Sequence, residues 1–133
     1  MRKVSTVERK SIQTTKAPAA IGPYSQAIAA GSFVFVSGQM GLKPDGEMAG
    51  SGVEEQASQA LKNLKAILEE AGSSLANVVK TTVFLADMQD FAVVNAIYAQ
   101  SFPGGPPARS AVQVARLPKD AKVEIEAIAM LEV

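Results

Sequence analysis

The amino-acid sequence predicts an α+β domain in which two amphipathic helices cover one face of a mainly antiparallel or mixed sheet. Three observations predict it. Two strand-like runs, 24–30 and 33–38, flank a Gly31-Ser32 turn. Two stretches with apolar residues at helical spacing, 53–71 and 88–102, enclose the β-branched run 78–86. Two more strand-like runs, 109–116 and 122–131, close the chain. The order reads β-β-β-α-β-α-β-β, and 133 residues suit one compact domain, 1–133, and are too few for two.

Residues 1–11 read as an N-terminal extension or first strand, on the β-like run KVSTV; their basic, hydroxyl-rich composition also fits a remnant of an organelle-targeting segment. The tight turn then fixes a register. With Ala30 opposite Phe33, Gln26 faces Ser37 and Tyr24 faces Gln39, and the two-residue pleat gathers Tyr24, Gln26, Ile28, Phe35, Ser37 and Gln39 on one side. Ala27, Ala29, Val34 and Val36 form the opposite, apolar side, which receives the helices.

The first helix carries Val53, Ala57, Ala60, Leu61, Leu64, Ile67, Leu68 and Ala71 on one stripe. Ser51 and Glu54 have the spacing of a capping box, and Gly72 stands where the helix should stop. The run VVKTTVFLA is apolar on both faces, as a central strand requires. Asp87 then caps a second helix with a stripe of Phe91, Val94, Tyr98 and Phe102. Asn95 falls on that packed stripe, where its amide needs either protein partners or a ligand.

The final two strands are expected to form a hairpin through LPKDA. With both helices on one side, the other sheet face, bearing Tyr24, Phe35 and Ile28, stays uncovered and should be buried against copies of the same chain.

Composition narrows the chemistry. Thirteen basic side chains balance thirteen acidic ones, so no field draws in nucleic acid or an anionic membrane. No apolar run approaches the length of a membrane span, and no signal-peptide core is present. A soluble, cytoplasmic protein is expected, with an organelle as the alternative. The chain has no cysteine, histidine or tryptophan. Disulfides, thiolate nucleophiles, Cys/His metal sites and histidine-activated nucleophiles are therefore excluded within it. Any catalysis must rest on Arg, Glu, Asp, Lys, Ser, Tyr, Asn, backbone groups and water, which favours substrates that are already reactive.

Two features stand out against that inventory. Arg109 opens a strand directly after the loop PGGPPA and shares its side with Ala111 and Gln113, small and polar neighbours that leave room for a ligand. A guanidinium there is either simply solvated or grips a carboxylate through two hydrogen bonds. Glu124 and Glu126 share one face of the last strand and fit either a solvated edge or an acid/base pair. In the expected hairpin Arg109 and Glu124 lie roughly 16 Å apart, so they should not meet within one chain. They could meet across a boundary between subunits. The lysines are dispersed, and the Gly/Pro motifs lack phosphate-loop spacing.

The motifs APAAIGPYSQAI, VFVSGQMG, VVKTTVFLADMQDFAVVNAIYAQSF and PARSAVQVARLPKDAKVEIEAIA, in that order, closely resemble the RidA (YjgF) family of reactive-intermediate deaminases, from about Ile12 to the C-terminus. The resemblance implies a chorismate-mutase-like α+β fold, assembled as a homotrimer with three clefts between subunits. It implies hydrolysis of 2-imino acids, the tautomers of enamines released by pyridoxal-phosphate dehydratases acting on threonine or serine, to 2-oxo acids and ammonia. No metal or cofactor is implied, and neither nucleic acid nor membrane is an expected partner.

Residue by residue, the resemblance makes Arg109 the ligand of the substrate carboxylate and Glu124 the group that positions or activates water. It places Tyr24 on the cleft wall, Ser37 and Gly38 beside the substrate, and Asn95 at the cleft edge. Many family members have a cysteine where this chain has Ala111. Use of that position rests on backbone contact, so Ala111 should keep the binding role while thiol-dependent behaviour is lost. The alternatives are a trimeric 2-oxo acid binding or chaperone protein without turnover, and an endoribonuclease or translation inhibitor. The lack of histidine and the neutral charge argue against the last.

Overall fold

A computed structural model describes residues 8–132; the run KVSTV at 3–7, read as part of a first strand, lies outside the described residues. The elements in chain order are β1 (Arg9–Ile12), β2 (Ala27–Ala30), β3 (Phe33–Met40), α1 (Val53–Glu70), β4 (Val78–Leu85), α2 (Phe91–Gln100), β5 (Ala108–Gln113) and β6 (Val123–Met130). The strands form one six-stranded sheet in the order β1-β2-β3-β6-β4-β5. All neighbours are antiparallel except β4 and β5, which are parallel. Among the described residues no helix is long and apolar enough to cross a membrane.

The turn at Gly31-Ser32 sets the expected register, with Ala30 opposite Phe33 and Ala27 opposite Val36. Val34, Val36, Val123, Ile125, Ala127, Ala129, Val83 and Leu85 are buried under the helices, with α1 contributing Leu64, Ile67 and Leu68. Burying each of these larger side chains stabilises the fold by about 1.5–3 kcal/mol. The helix also ends as its sequence requires. Gly72 adopts a φ of 83° and donates to the Glu69 carbonyl while Ser73 donates to that of Leu68, so two otherwise unpaired carbonyls are satisfied in a left-handed cap that suits glycine.

The helix start differs from expectation. Gly52 is the N-cap of α1 and no side chain caps it. With the boundary one residue later, Ser51 and Glu54 no longer span the capping-box positions; Glu55 does, and its carboxylate folds back over Gly50 and Gly52. Asp87 caps as expected, its Oδ1 accepting from the Gln89 amide at 2.9 Å, but it caps a short 3-10 turn that leads into α2.

The expected β5–β6 hairpin does not form. β6 is inserted between β3 and β4, and β5 pairs only with β4. Alternate residues of β6 are buried from Val123 to Ala129, and a strand with so apolar a face is most stable in the sheet interior. The end of β4 holds both partners apart: Leu85 accepts from the Val114 amide at 2.9 Å, and the Ala86 amide donates to Lys122 at 3.1 Å. The strand–helix–strand order of β4, α2 and β5 is the sequence pattern of a parallel crossover.

Two helices on one side leave the other face open. Phe33, Phe35 and Met130 are exposed there at 40%, 45% and 45%, and Phe33 lies directly opposite Met130. The uncovered apolar face expected from the pleat is therefore present.

Candidate active site

The predicted site residues fall into two groups on opposite faces of the sheet. The first forms around a β-bulge. Along β3 and β6 the pairs run from Phe33 with Met130 to Val36 with Ala127, then resume as Gln39 with Ile125 and Met40 with Glu124. One extra residue of β3 is absorbed at Ser37-Gly38. The bulge corrects the expected pleat: Gln39 turns to the helix-covered face beside Ile125 and is buried, whereas Phe35 remains on the open face.

Glu124 reaches over this bulge. A β-carbon on Gly38 would stand 2.8 Å from Cδ and Oε2 of Glu124, closer than side chains pack. A side chain at position 38 would therefore have to push the carboxylate aside, and glycine leaves it that space. Burial pushes the Glu124 carboxyl above its ordinary value, and the charge of nearby Glu126 adds to the effect. The Ser37 hydroxyl donates to the Ser25 carbonyl at 2.6 Å, tying the bulge to the segment that carries Tyr24. Tyr24 itself is 54% exposed, its hydroxyl accepting a long 3.4 Å bond from the Ile21 amide.

Tyr24, Ser37, Gly38 and Glu124 line one groove of about 800 Å³, together with Met40, Leu42, Lys119 and Glu126. Its floor is the end of β3 and the start of β6, the loops around Tyr24, Leu42 and Lys119 wall it, and buried amides hold two of these segments. Gln26 accepts from the Thr14 amide at 2.7 Å and donates to the Pro18 carbonyl at 2.7 Å, fixing the segment before Tyr24. Asn63 of α1 donates to the carbonyls of Met40 and Leu42 at 3.2 and 2.7 Å. Gln26, expected on the open face with Phe35, is thus an internal clamp. Paired to backbone in this way, such amides are satisfied and fix loop geometry.

The second group lies under α2. Arg109 pairs with Thr81 and Ala111 with Val83, so both share the helix-covered face. The Arg109 Nη1 donates to Asn95 Oδ1 at 2.7 Å, and its guanidinium carbon lies 5.4 Å from the Phe91 ring centre and 5.0 Å from that of Tyr98. Asn95, the amide flagged on the packed stripe, has found its partner. Ala111 is half-buried against the core. Gln113, expected to leave room for a ligand, instead accepts from the Met88 amide at 2.7 Å and so belongs to the structure of the turn before α2.

Thr81 is directly opposite both Arg109 and Ala127, whereas Glu124 lies opposite Phe84 on the other face. Two strand spacings and three residues of register put Arg109 and Glu124 roughly 10 Å apart in each direction, with their side chains diverging. The sequence expectation that they do not meet within one chain holds, although its hairpin geometry does not. The bulge and the aromatic neighbours of Arg109 were not read from the sequence. A Gly inside the strand FVFVSGQM was the signal for the first, and the spacing of Phe91, Asn95 and Tyr98 on one helix row the signal for the second.

Comparison with known proteins adds to this geometry. The family model described as endoribonuclease L-PSP matches residues 14–131. The chain is 58% identical over 128 residues, covering 96% of this chain and 95% of the relative, to the mouse protein named 2-iminobutanoate/2-iminopropanoate deaminase. It is 53% identical to the Arabidopsis thaliana protein named Reactive Intermediate Deaminase A, chloroplastic, covering 96% of this chain and 68% of that one. The crystal structure of E. coli TdcF with bound serine superposes with a TM-score of 0.88 at 50% identity, covering 92% of this chain and 99% of that one.

Proposed function

Because the chain belongs to the RidA (YjgF) family, described as endoribonuclease L-PSP, we propose that it hydrolyses 2-imino acids, including 2-iminobutanoate and 2-iminopropanoate, to 2-oxo acids and ammonia, in clefts built from neighbouring copies of itself. Such activity removes the reactive enamines and imines that damage pyridoxal-phosphate enzymes. The observation that carries the shared cleft is the divergence of Arg109 and Glu124 onto opposite faces, with exposed Phe33, Phe35 and Met130 on the Glu124 side. The two half-sites are different patches of one surface. Joining one to the other is a head-to-tail contact, which closes as a ring; a homotrimer with three clefts satisfies it.

In such a cleft Arg109 of one subunit grips the substrate carboxylate. Asn95 claims one of its five N–H donors and leaves the rest for a bidentate pair. The imine carbon is then presented to water held by Glu124 of the adjoining subunit. Glu124 takes a proton from the water as its oxygen bonds to that carbon and passes this proton to the nitrogen, giving a carbinolamine with the carboxylate restored. This collapses with rupture of the C–N bond, releasing ammonia and forming the 2-oxo acid carbonyl. Tyr24, Ser37, Gly38 and Ala111 complete the walls. An imine already hydrolyses unaided, so orientation and one carboxylate base, which contributes about 10²-fold or more, suffice without histidine, thiol or cofactor.

The test is release of ammonia and 2-oxobutanoate from imine generated by a threonine dehydratase. The protein should accelerate loss of the imine well beyond the rate in buffer. A rate equal to buffer, with 2-oxobutanoate still bound in the clefts, would leave the protein as a binding module. A cytoplasmic location is the reading we adopt, with an organelle as the alternative that the relative named as chloroplastic suggests.

A further inference from the structure

We propose that Phe91 and Tyr98 are positioning residues, an aromatic shelf that holds the Arg109 guanidinium in its carboxylate-gripping orientation, and that Thr81 locks the shelf in place. The inference rests on the reading of Arg109 as the carboxylate anchor. Arg109 stands on an edge strand at an exposed position. An arginine free to sample its rotamers there would surrender that freedom each time it gripped a substrate. Here the freedom has already been given up. Phe91, Asn95 and Tyr98 occupy positions i, i+4 and i+7 of α2, one row along the helix. The guanidinium carbon lies 5.4 and 5.0 Å from the two ring centres, within the range at which a cation is attracted to an aromatic face. The amide between the rings takes a single N–H at 2.7 Å.

The anchoring of Tyr98 points the same way. Its side chain is 4% exposed, in the core, yet it carries a hydroxyl. That hydroxyl shares a 2.6 Å hydrogen bond with the hydroxyl of Thr81, which is 1% exposed and lies directly opposite Arg109 on the adjoining strand. Strand β4 holds the ring, the ring holds the cation, and the cation returns to the strand paired with β4. This closed set fixes the guanidinium relative to the sheet at one level. A phenylalanine at position 98 would pack the same ring and leave the Thr81 hydroxyl without this partner; a leucine would remove the face altogether.

The experiment compares Phe91→Leu, Tyr98→Leu, Tyr98→Phe and Arg109→Ala with the wild type, measuring kcat and KM for 2-iminobutanoate and calorimetric binding of 2-oxobutanoate. Loss of either ring should raise KM and weaken 2-oxobutanoate binding about three- to tenfold, with kcat within about twofold, because grip on the carboxylate is the same in ground and transition states. Tyr98→Phe, which keeps the ring and loses only the bond to Thr81, should raise KM about twofold, well short of the leucine variants; a KM equal to wild type would remove Thr81 from the proposal. If Arg109→Ala loses 2-oxobutanoate binding while both leucine variants retain it, the shelf is overturned. Equal weakening by Tyr98→Phe and Tyr98→Leu overturns it too, since the ring would then not be the acting group. If Arg109→Ala binds 2-oxobutanoate like wild type, the anchor reading itself fails. Phe91 is only half-buried, so its leucine variant decides the matter even where Tyr98→Leu does not fold.

Discussion

The two halves of the proposed site solve opposite problems. Arg109 is exposed on an edge strand, where solvation of its charge is easy and orientation is difficult; the aromatic row of α2 and the Asn95 amide supply the orientation. Glu124 sits on an interior strand over a bulge, where orientation is given by the sheet and solvation is difficult, and burial with Glu126 nearby pushes its carboxyl up. A cation that must bind keeps its charge in water and is restrained. A base that must take a proton is set rigidly and partly stripped of water. In the proposed cleft each half would bring what its own strand environment provides.

Breaking the cation half should have the largest effect. Arg109→Ala is expected to bring imine hydrolysis down to the buffer rate while the assembly, read by light scattering, stays intact, because the side chain serves substrate and not packing between strands. Glu124→Gln should separately lose most activity. If the cleft is shared, chains of the two variants refolded together should recover about a quarter of wild-type activity, the chance that a cleft draws intact residues from both partners. No recovery in mixed assemblies would place both residues in one chain's own site.

The base half separates rate from stability. Glu124→Gln should slow hydrolysis about 10²-fold with little change in 2-oxobutanoate affinity. Its effect on stability has the opposite sign. Because the folded carboxyl lies above the ordinary 4.5, ionisation is disfavoured by folding. The wild type therefore holds its full stability below 4.5 and loses some as pH rises through the raised native value. Glutamine avoids that loss, so the variant should melt higher than wild type at pH 7, and the advantage should vanish below pH 4.5. A variant less stable at pH 7 would show that Glu124 is compensated in the assembly.

Gly38→Ala gives the smallest and most local change. The new methyl must displace the Glu124 carboxyl, since it would otherwise stand 2.8 Å from Cδ. A shift of this kind is expected to lower kcat about tenfold without altering KM, in contrast to the KM effect expected from the aromatic shelf. Equal effects on both parameters would indicate that the bulge itself had collapsed.

The elements, the Gly31-Ser32 register and the open apolar face were legible in the sequence because periodicity and turn chemistry act locally. The order of the sheet was less so. Residues 109–131 contain two strands and a short connection, which locally favours a hairpin, and only burial of the β6 face in the sheet interior places β4 between them. The bulge escaped for a related reason: Ser37-Gly38 fits an unbroken alternation until Glu124, far along the chain, claims the space over Gly38. Arg109, Glu124 and Asn95 stood out by residue type and position, and the family resemblance gave them site roles together with Tyr24, Ser37, Gly38 and Ala111. Among them, the structure brings together Tyr24, Ser37, Gly38 and Glu124 in one groove and Arg109, Asn95 and Ala111 beneath α2.

Placement of Arg109 and Glu124 on opposite faces has a consequence in mass action. If the cleft is shared, a solitary chain holds two half-sites and no complete one, so turnover per chain should follow the fraction assembled, falling steeply once the protein is diluted below the dissociation constant of the assembly. Substrate carboxylates that bridge two subunits would push the same equilibrium the other way. Such an enzyme would be at its most cohesive when imines are abundant, with its own concentration setting the threshold at which protection begins.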